Sequence, residues 1–433
     1  MRDVSDILNI TSDFYYTDTE GNCILLTGSL VYQDNNIVLE CRIVSEQAKL
    51  LGNRNIILYG DVGTTKVTLT DGCITFKYKW ESDFIFATIT PSEIIIGRKY
   101  VGKIKVKKIS SNMQALNRMF SNNPLYLNHN FSRENPSLVE FTYQNAIKAT
   151  DKDGEIFVYQ TIAMGWFKDK VELPIVPIVD YLFNEPTELK TAVAKIASAR
   201  NLFAFFADYH IPLENITFSD EDSKMMELCD CTLYMNYKEE VDTSDRPFII
   251  LTNKFEGDFE IIWRNWSEFY DESKYIPALF YEIICNRSTR INRFLNLAQA
   301  IEIYSIYYRE KEVKIIAKKD GCNKKFIPLK YRMEDIISHL NYCFEFDKAT
   351  VSKLSKSLSD SRNFFTHYNN EKYLEPSFQE MLSAGRLLRF VLLSIIYKTI
   401  GISDECIKEC GKYFSHGSLK RDINITLKKE NNY

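Results

Sequence analysis

"DKATVSKLSKSLSDSRNFFTHYNN" (residues 347–370) decides how the second half of the chain is read. The stretch predicts one helix, and near its end stand an arginine, an amide and one of the five histidines of this 433-residue chain. At about 100° per residue, Asn363 and His367 stack on one helix face, whereas Arg362 lies about 140° from His367 and its long side chain must reach round. Phe364 and Phe365 are placed to point into a core and hold the polar trio at its edge.

Working outward, the flanking stretches also carry the helical period. "NRFLNLAQAIEIYSIYYRE" (292–310) puts Leu295, Ala298, Ile301, Tyr304 and Tyr307 on or near one face. "RMEDIISHLNYCFEF" (332–346) predicts a second helix. "EPSFQEMLSAGRLLRFVLLSIIYKTIG" (375–401) predicts a long one, with Pro376 near its start, Lys398 in its last turn and Gly401 as its C-cap. "SDECIKECGKYF" (403–414) adds a short fifth helix. Four helices with short connections predict a bundle.

The first two-thirds read differently. "CILLTGSLVY", "NIVLECRIV", "NIILYGDV", "KVTLTDGCITFKYKW", "FIFATIT" and "KIKVKKI" are β-branched and aromatic runs separated by turn signals such as "DNN" and "GTT". Their spacing predicts a sandwich or a curled antiparallel sheet. Further strands are expected at "LVEFTYQN", "EIFVYQTI", "KVELPIV", "TLYMNYK", "PFIILT" and "FEIIW", interrupted by a helix over 186–210 that starts at Pro-Thr. The expected fold class is α+β multidomain: a β-rich, sandwich-like region over 1–270 with an embedded helix, divisible into 1–150 and 151–270, then an all-α four-helix bundle over 271–433.

Charge is distributed unevenly. Residues 285–433 hold 26 Lys plus Arg against 17 Asp plus Glu, a local +9, on a chain of net −4. Such a segment suits a polyanion partner acting locally. The apolar run 387–397 is too short to span a membrane and contains Arg389. No signal peptide is visible and the ten cysteines are scattered, so reduced thiols and a cytoplasmic location are expected. Cys229-x-Cys231, and Cys406-x3-Cys410 followed by His416, do not have paired zinc-site spacing, and neither a metal nor a cofactor is expected.

The Arg-Asn-His group suits metal-free RNA cleavage. The 2′-OH attacks the adjacent phosphorus, and an imidazole, whose ordinary pKa is about 6.5, can handle a proton near pH 7. A guanidinium offers a permanent cation with forked donors for the negative charge gathering on the phosphorane. An amide can orient either partner. The spacing alone is weak, because Arg332 and His339 form a second loose pair. His339, among Ile336, Ile337 and Leu340, reads as a packing histidine.

"RNFFTH" resembles the Arg-x4-His signature of HEPN ribonucleases, including the polar residue after the arginine. Region 285–415 resembles the HEPN bundle, and "ILLTGSLVYQDNNIVLE", "NIILYGDV" and "KVTLTDGCITF" resemble the N-terminal part of ApeA-type abortive-infection proteins. The resemblance implies a metal-independent endoribonuclease of bacterial antiphage defence that leaves 2′,3′-cyclic phosphate ends, with RNA (tRNA by family analogy) as partner. It implies a homodimer through the HEPN domain, open to higher oligomers, and a phage-encoded trigger sensed by the N-terminal region. Carried over, Arg362 is the phosphate-stabilising cation, His367 the acid/base or leaving-group stabiliser and Asn363 the positioning amide. Glu302 and Tyr368 lie nearby with no role assigned. The alternative is a catalytically silent HEPN module that binds RNA or a partner protein.

Overall fold

The computed structural model describes residues 4–18, 21–33, 36–48, 51, 56–77, 83–101, 103–120, 125–127, 139–141, 146–162, 165–166, 171–172, 174–220, 231–235, 250, 256–285, 289–322, 326–367, 373, 375–415 and 418–427. Six antiparallel strands open the chain: β1 (Thr11–Thr17), β2 (Cys23–Gln33), β3 (Asn36–Val44), β4 (Ile56–Val62), β5 (Thr65–Lys77) and β6 (Phe84–Thr90). They pair in the order β5-β4-β1-β2-β3-β6, and β6 returns to β5, closing a barrel. Alternation decides what fills it. Ile24, Leu26 and Leu30 of β2 point inward with Phe14, Leu39, Leu58 and Ile89, while Leu25 and Thr27 face out. A short helix, α1 (Ser45–Ala48), adds Ala48 to this core.

Strand β5 also belongs to a second sheet. Its first half pairs with β7 (Glu93–Ile96) and its second half with β6. Between the halves Asp71 takes φ 50°, and the β4–β5 register slips between Ile56 and Leu58. That bulge bends the strand out of one sheet into the other. Gly72 is required at the bend, because a Cβ there would meet Ile56 at 2.9 Å and Ile89 at 3.0 Å.

The open sheet continues through β8 (Lys105–Asn112), β11 (Ile147–Thr150), β12 (Gly154–Ile162), β15 (Ile175–Glu188), β16 (Glu214–Asp220) and β17 (Cys231–Met235), in the order β11-β12-β15-β8-β16-β17-β7. Two small ribbons stand apart from it: β9 (Leu125–Leu127) with β10 (Val139–Phe141), and β13 (Gly165–Trp166) with β14 (Val171–Glu172). Helix α2 (Leu189–Ala207) packs on β8 and β15, and its Ala192, Ile196, Phe203 and Phe206 are buried in the shared core. Pro186 and Thr187, expected to start this helix, instead end β15, where Thr187 pairs with Val106.

The helical half begins earlier than its period suggested. "FEIIW", expected as a strand, is the first turn and a half of α3 (Phe259–Ser273). Phe259, Ile262, Trp263, Trp266 and Phe269 recur at helical spacing, and a five-residue apolar run alone does not reveal this. Then follow α4 (Tyr275–Ile284), α5 (Arg290–Tyr308), α6 (Glu310–Lys319), α7 (Leu329–His339), α8 (Asn341–Phe344), α9 (Lys348–His367), α10 (Phe378–Ile400), α11 (Asp404–Ser415) and α12 (Ser418–Leu427). Helix α10 carries a Ser377–Glu380 capping box and ends at Gly401 with φ 96°. Helix α6 was not foreseen. Of "PFIILT", only Ile250 lies within the described residues, and Cys229, Tyr368 and His416 lie outside them.

One apolar cluster runs from β8, β12 and β15 through α2 and α3 into α5, α7, α9 and α10. Phe205 of α2 stacks on Phe280 of α4 at 4.2 Å, Tyr397 of α10 donates to the Phe205 carbonyl at 2.5 Å, and Arg389 holds Asp208, the residue capping α2, at 2.5 Å. Asp151, in the β11–β12 turn, pins the same junction. It accepts from Lys195 of α2 (2.8 Å), Tyr181 of β15 (2.5 Å) and Ser267 of α3 (2.9 Å).

Burial disfavours the Asp151 carboxylate, but the hydrogen bonds from Lys195 and Tyr181 outweigh it and hold its pKa below the ordinary value. A depressed folded-state pKa gives stability that is present above the unfolded value of about 3.9 and is lost as pH falls through the folded value. Unfolding in urea is therefore expected to need less denaturant below about pH 4. Asp151→Asn is expected to cost about 3–5 kcal/mol at pH 7, because it strips Lys195 of its buried partner. A loss under about 1 kcal/mol would show that the exposed Asp153 alone satisfies the lysine.

Candidate active site

Helix α9 owes its position to its small residues. Ser355, Ser357, Ser359 and Ser361 are all buried, which lets the helix lie close to α7 and α12. Ser357 donates to the Thr426 carbonyl of α12 at 2.9 Å, and Ser355 satisfies itself on the Val351 carbonyl at 2.8 Å. At the C-terminal end Phe364 and Phe365 are buried, and Phe365 meets Phe294 of α5 edge-on at 6.1 Å. This aromatic clamp fixes the last turn of α9 against α5.

The clamp leaves the polar residues at the surface. The Arg362 guanidinium donates to Glu302 of α5 at 3.0 Å and to the Asn363 side-chain oxygen at 3.3 Å. The arginine and glutamate side chains are 25% and 26% exposed, so the pair lies at an open edge rather than in the core. Thr366 donates to the Arg362 carbonyl at 2.9 Å. His367 is the last residue of α9 and is exposed; among the described residues, none makes a hydrogen bond or ion pair with it. The structure thus joins Arg362 to Asn363 and sets His367 one turn further on. It adds Glu302 as the group that aims the arginine. In the sequence Glu302 is a neighbour of the motif with no role assigned; the structure pairs it with Arg362.

The second Arg–His pair does structural work. Arg332 is buried and bonds Glu310 at 2.7 Å, beside the Arg309–Asp335 pair at 2.5 Å. Burial, then the Arg309 and Lys398 cations, lower the pKa of His339, which keeps it neutral near pH 7. Cys406 and Cys410 lie one turn apart on α11, and the hydrogen bond with Cys406 together with burial raises the Cys410 pKa. Among the described residues, no three His, Cys, Asp or Glu side chains are grouped to hold a metal ion.

Two family models match this architecture: ApeA N-terminal domain 1 over residues 13–266 and Apea-like HEPN over residues 295–406. The chain is an ApeA-type HEPN protein. No curated protein and no solved structure matches it. In this ApeA-type chain the HEPN match runs from within α5 to the start of α11 and so contains Glu302, Arg362, Asn363 and His367. The N-terminal match spans both the barrel and the open sheet and ends inside α3.

A partly exposed ion pair contributes little to stability, whereas a buried ring contributes much. Arg362→Ala and Glu302→Gln are each expected to change the unfolding free energy by under about 1 kcal/mol, and Phe365→Ala to cost about 3–5 kcal/mol. Equilibrium unfolding of the three variants checks this. Unfolding of the protein by Arg362→Ala would make the pair structural.

Proposed function

We propose that this protein is a metal-independent endoribonuclease of a bacterial antiphage, abortive-infection system. The observation that carries the reading is the guanidinium of Arg362, aimed by Glu302 at an open edge of the bundle, with the exposed imidazole of His367 on the same helix end. Arg362 stabilises the charge on the phosphorane formed when a 2′-OH attacks the adjacent phosphate. His367 moves the proton to or from the reacting oxygens. Asn363 holds the arginine fork, and the products are a 2′,3′-cyclic phosphate and a 5′-hydroxyl. The chain acts in the cytoplasm as a homodimer whose two motifs form one cleft, on RNA of the tRNA class. The N-terminal region restrains the bundle until a phage component binds it, which requires the trigger to prefer the active state. Among the described residues, no helix is long and apolar enough to cross a membrane.

A second reading is a catalytically silent HEPN module that binds RNA or a partner protein. It is favoured by the Glu302 carboxylate already occupying one side of the Arg362 fork. His367→Ala separates the two. Under the ribonuclease reading it lowers the rate of RNA cleavage by about 10²–10⁴-fold while RNA binding and folding persist. Cleavage by the unaltered protein is expected to survive excess EDTA and to leave cyclic phosphate ends. Activity abolished by the chelator, or unchanged in His367→Ala, refutes the reading.

A further inference from the structure

The outer wall of the barrel carries a hollow. A groove of about 850 Å³ lies over β1, β2, β3 and β6, and its lining includes Thr11, Thr27, Ser29, Glu40, Arg42 and Phe86. The ladder orders its floor in rows. Thr11 stands opposite Ser29, Ser29 opposite Glu40 and Glu40 opposite Thr88, a row of hydroxyls with one carboxylate in it. Two residues along the strands, Thr27, Arg42 and Phe86 form the next row. Two further on, Val44 stands opposite Phe84, with Leu25 beside it on β2. Leu25, Val44, Phe84 and Phe86 are 38% to 44% exposed. The charges on this wall do not cancel. Glu40 and Arg42 share the outer face of β3, yet the guanidinium leans the other way, over the Phe84 ring at 5.7 Å. Among the described residues, the side chains of Glu40 and Arg42 have no hydrogen-bond or ion-pair partner.

We propose that this groove holds an extended segment of a partner protein running along β3. The segment sets a basic side chain on Glu40, an acidic one on Arg42 two residues later, and a large apolar one on Leu25, Val44 and Phe84 two residues after that. The spacing follows from the strand. Glu40 to Val44 is four residues, about 14 Å, and an extended ligand rises at the same rate. Because β6 closes the barrel on β5, the wall offers no free strand edge, so recognition is by side chains rather than by an added strand. An apolar patch rimmed by polar groups suits a protein surface, and the two uncancelled charges fix which segment fits and in which direction. A nucleic-acid backbone fits less well. Residues 1–284 carry a net −13, and Asp13, which accepts from Thr27 at 2.7 Å, adds a second carboxylate beside Glu40. A small ligand would leave much of its surface in water, because Thr11, Glu40 and Arg42 are all exposed. The inference concerns the N-terminal region alone and stands whether or not the helical bundle cuts RNA.

The test uses the full chain and a fluorescent synthetic peptide, Gly-Lys-Thr-Asp-Thr-Leu-Gly, blocked at both ends and read by fluorescence polarisation. Saturable binding with a Kd below about 1 mM is expected. Glu40→Lys is expected to weaken it about fivefold or more, since it turns an attraction into a repulsion. A second peptide with Glu in place of Lys is expected to prefer the Glu40→Lys chain to the unaltered one, a reversal that general damage to the fold would not produce. Val44→Asp is expected to weaken both peptides. Glu40 and Val44 face water, so neither change opens the barrel core. No saturation up to about 1 mM, equal affinity in Glu40→Lys, or no exchange of preference between the two peptides overturns the proposal. Displacement of the peptide by a synthetic RNA stem-loop, or Glu40-dependent self-association of the chain in sedimentation, gives the groove another occupant and overturns it as well.

Discussion

The constraint on which the structure depends is a single apolar core that does not stop where strands give way to helices. Trp263 and Trp266 of α3, Phe203 and Phe205 of α2 and Tyr397 of α10 are fully or nearly fully buried in one cluster with Val179 and Ile156 of the sheet. Apolar area removed from water stabilises by about 25 cal/mol per Å², so the large rings at this junction outweigh any of the surface pairs around it. The polar contacts there, Asp151 with Lys195 and Arg389 with Asp208, fix orientation more than they add net stability, because burying ions costs nearly what pairing them returns. The barrel, by contrast, has a core of its own.

This continuity bears on how a signal could pass. Helix α10 touches α2 through Arg389 and Tyr397, and it packs along α5, which carries Glu302. A displacement of α2 therefore reaches the partner of Arg362 through two packed helices. Close-packed interiors transmit such displacements because they have little free volume to absorb them. Whether a given ligand uses the route depends on its having different affinities for the two arrangements.

Much of the architecture was legible in the sequence because pattern and burial agree. Strand β2 stands where an apolar run ends at the "DNN" turn signal, and its burial alternates along the strand, and α10 carries its capping box and its terminal Gly401 where local chemistry puts them. The readings that failed did so where local pattern is ambiguous. "FEIIW" is apolar enough for either element, and only its continuation to Trp266 and Phe269 makes it a helix. Pro186 suits a helix start, yet the β15–β8 ladder extends beyond it. At the site, Arg362, Asn363 and His367 were visible as a motif. The Glu302 contact was not, because it joins residues sixty positions apart through a bundle whose packing no local pattern specifies.

The bend in β5 has a consequence for how the molecule can be taken apart. Val67 and Leu69 precede the bulge and Ile74 follows it, and all three fill the barrel core although the first half of the strand also forms the seam with β7. A slip of one residue anywhere along it would turn these side chains outward. No cut in a loop can release the barrel intact, since the neighbouring sheet keeps a claim on the same strand. The N-terminal region is therefore expected to be inherited, expressed and unfolded with its sheet attached, and an excised barrel to expose the row of backbone groups that β7 now covers.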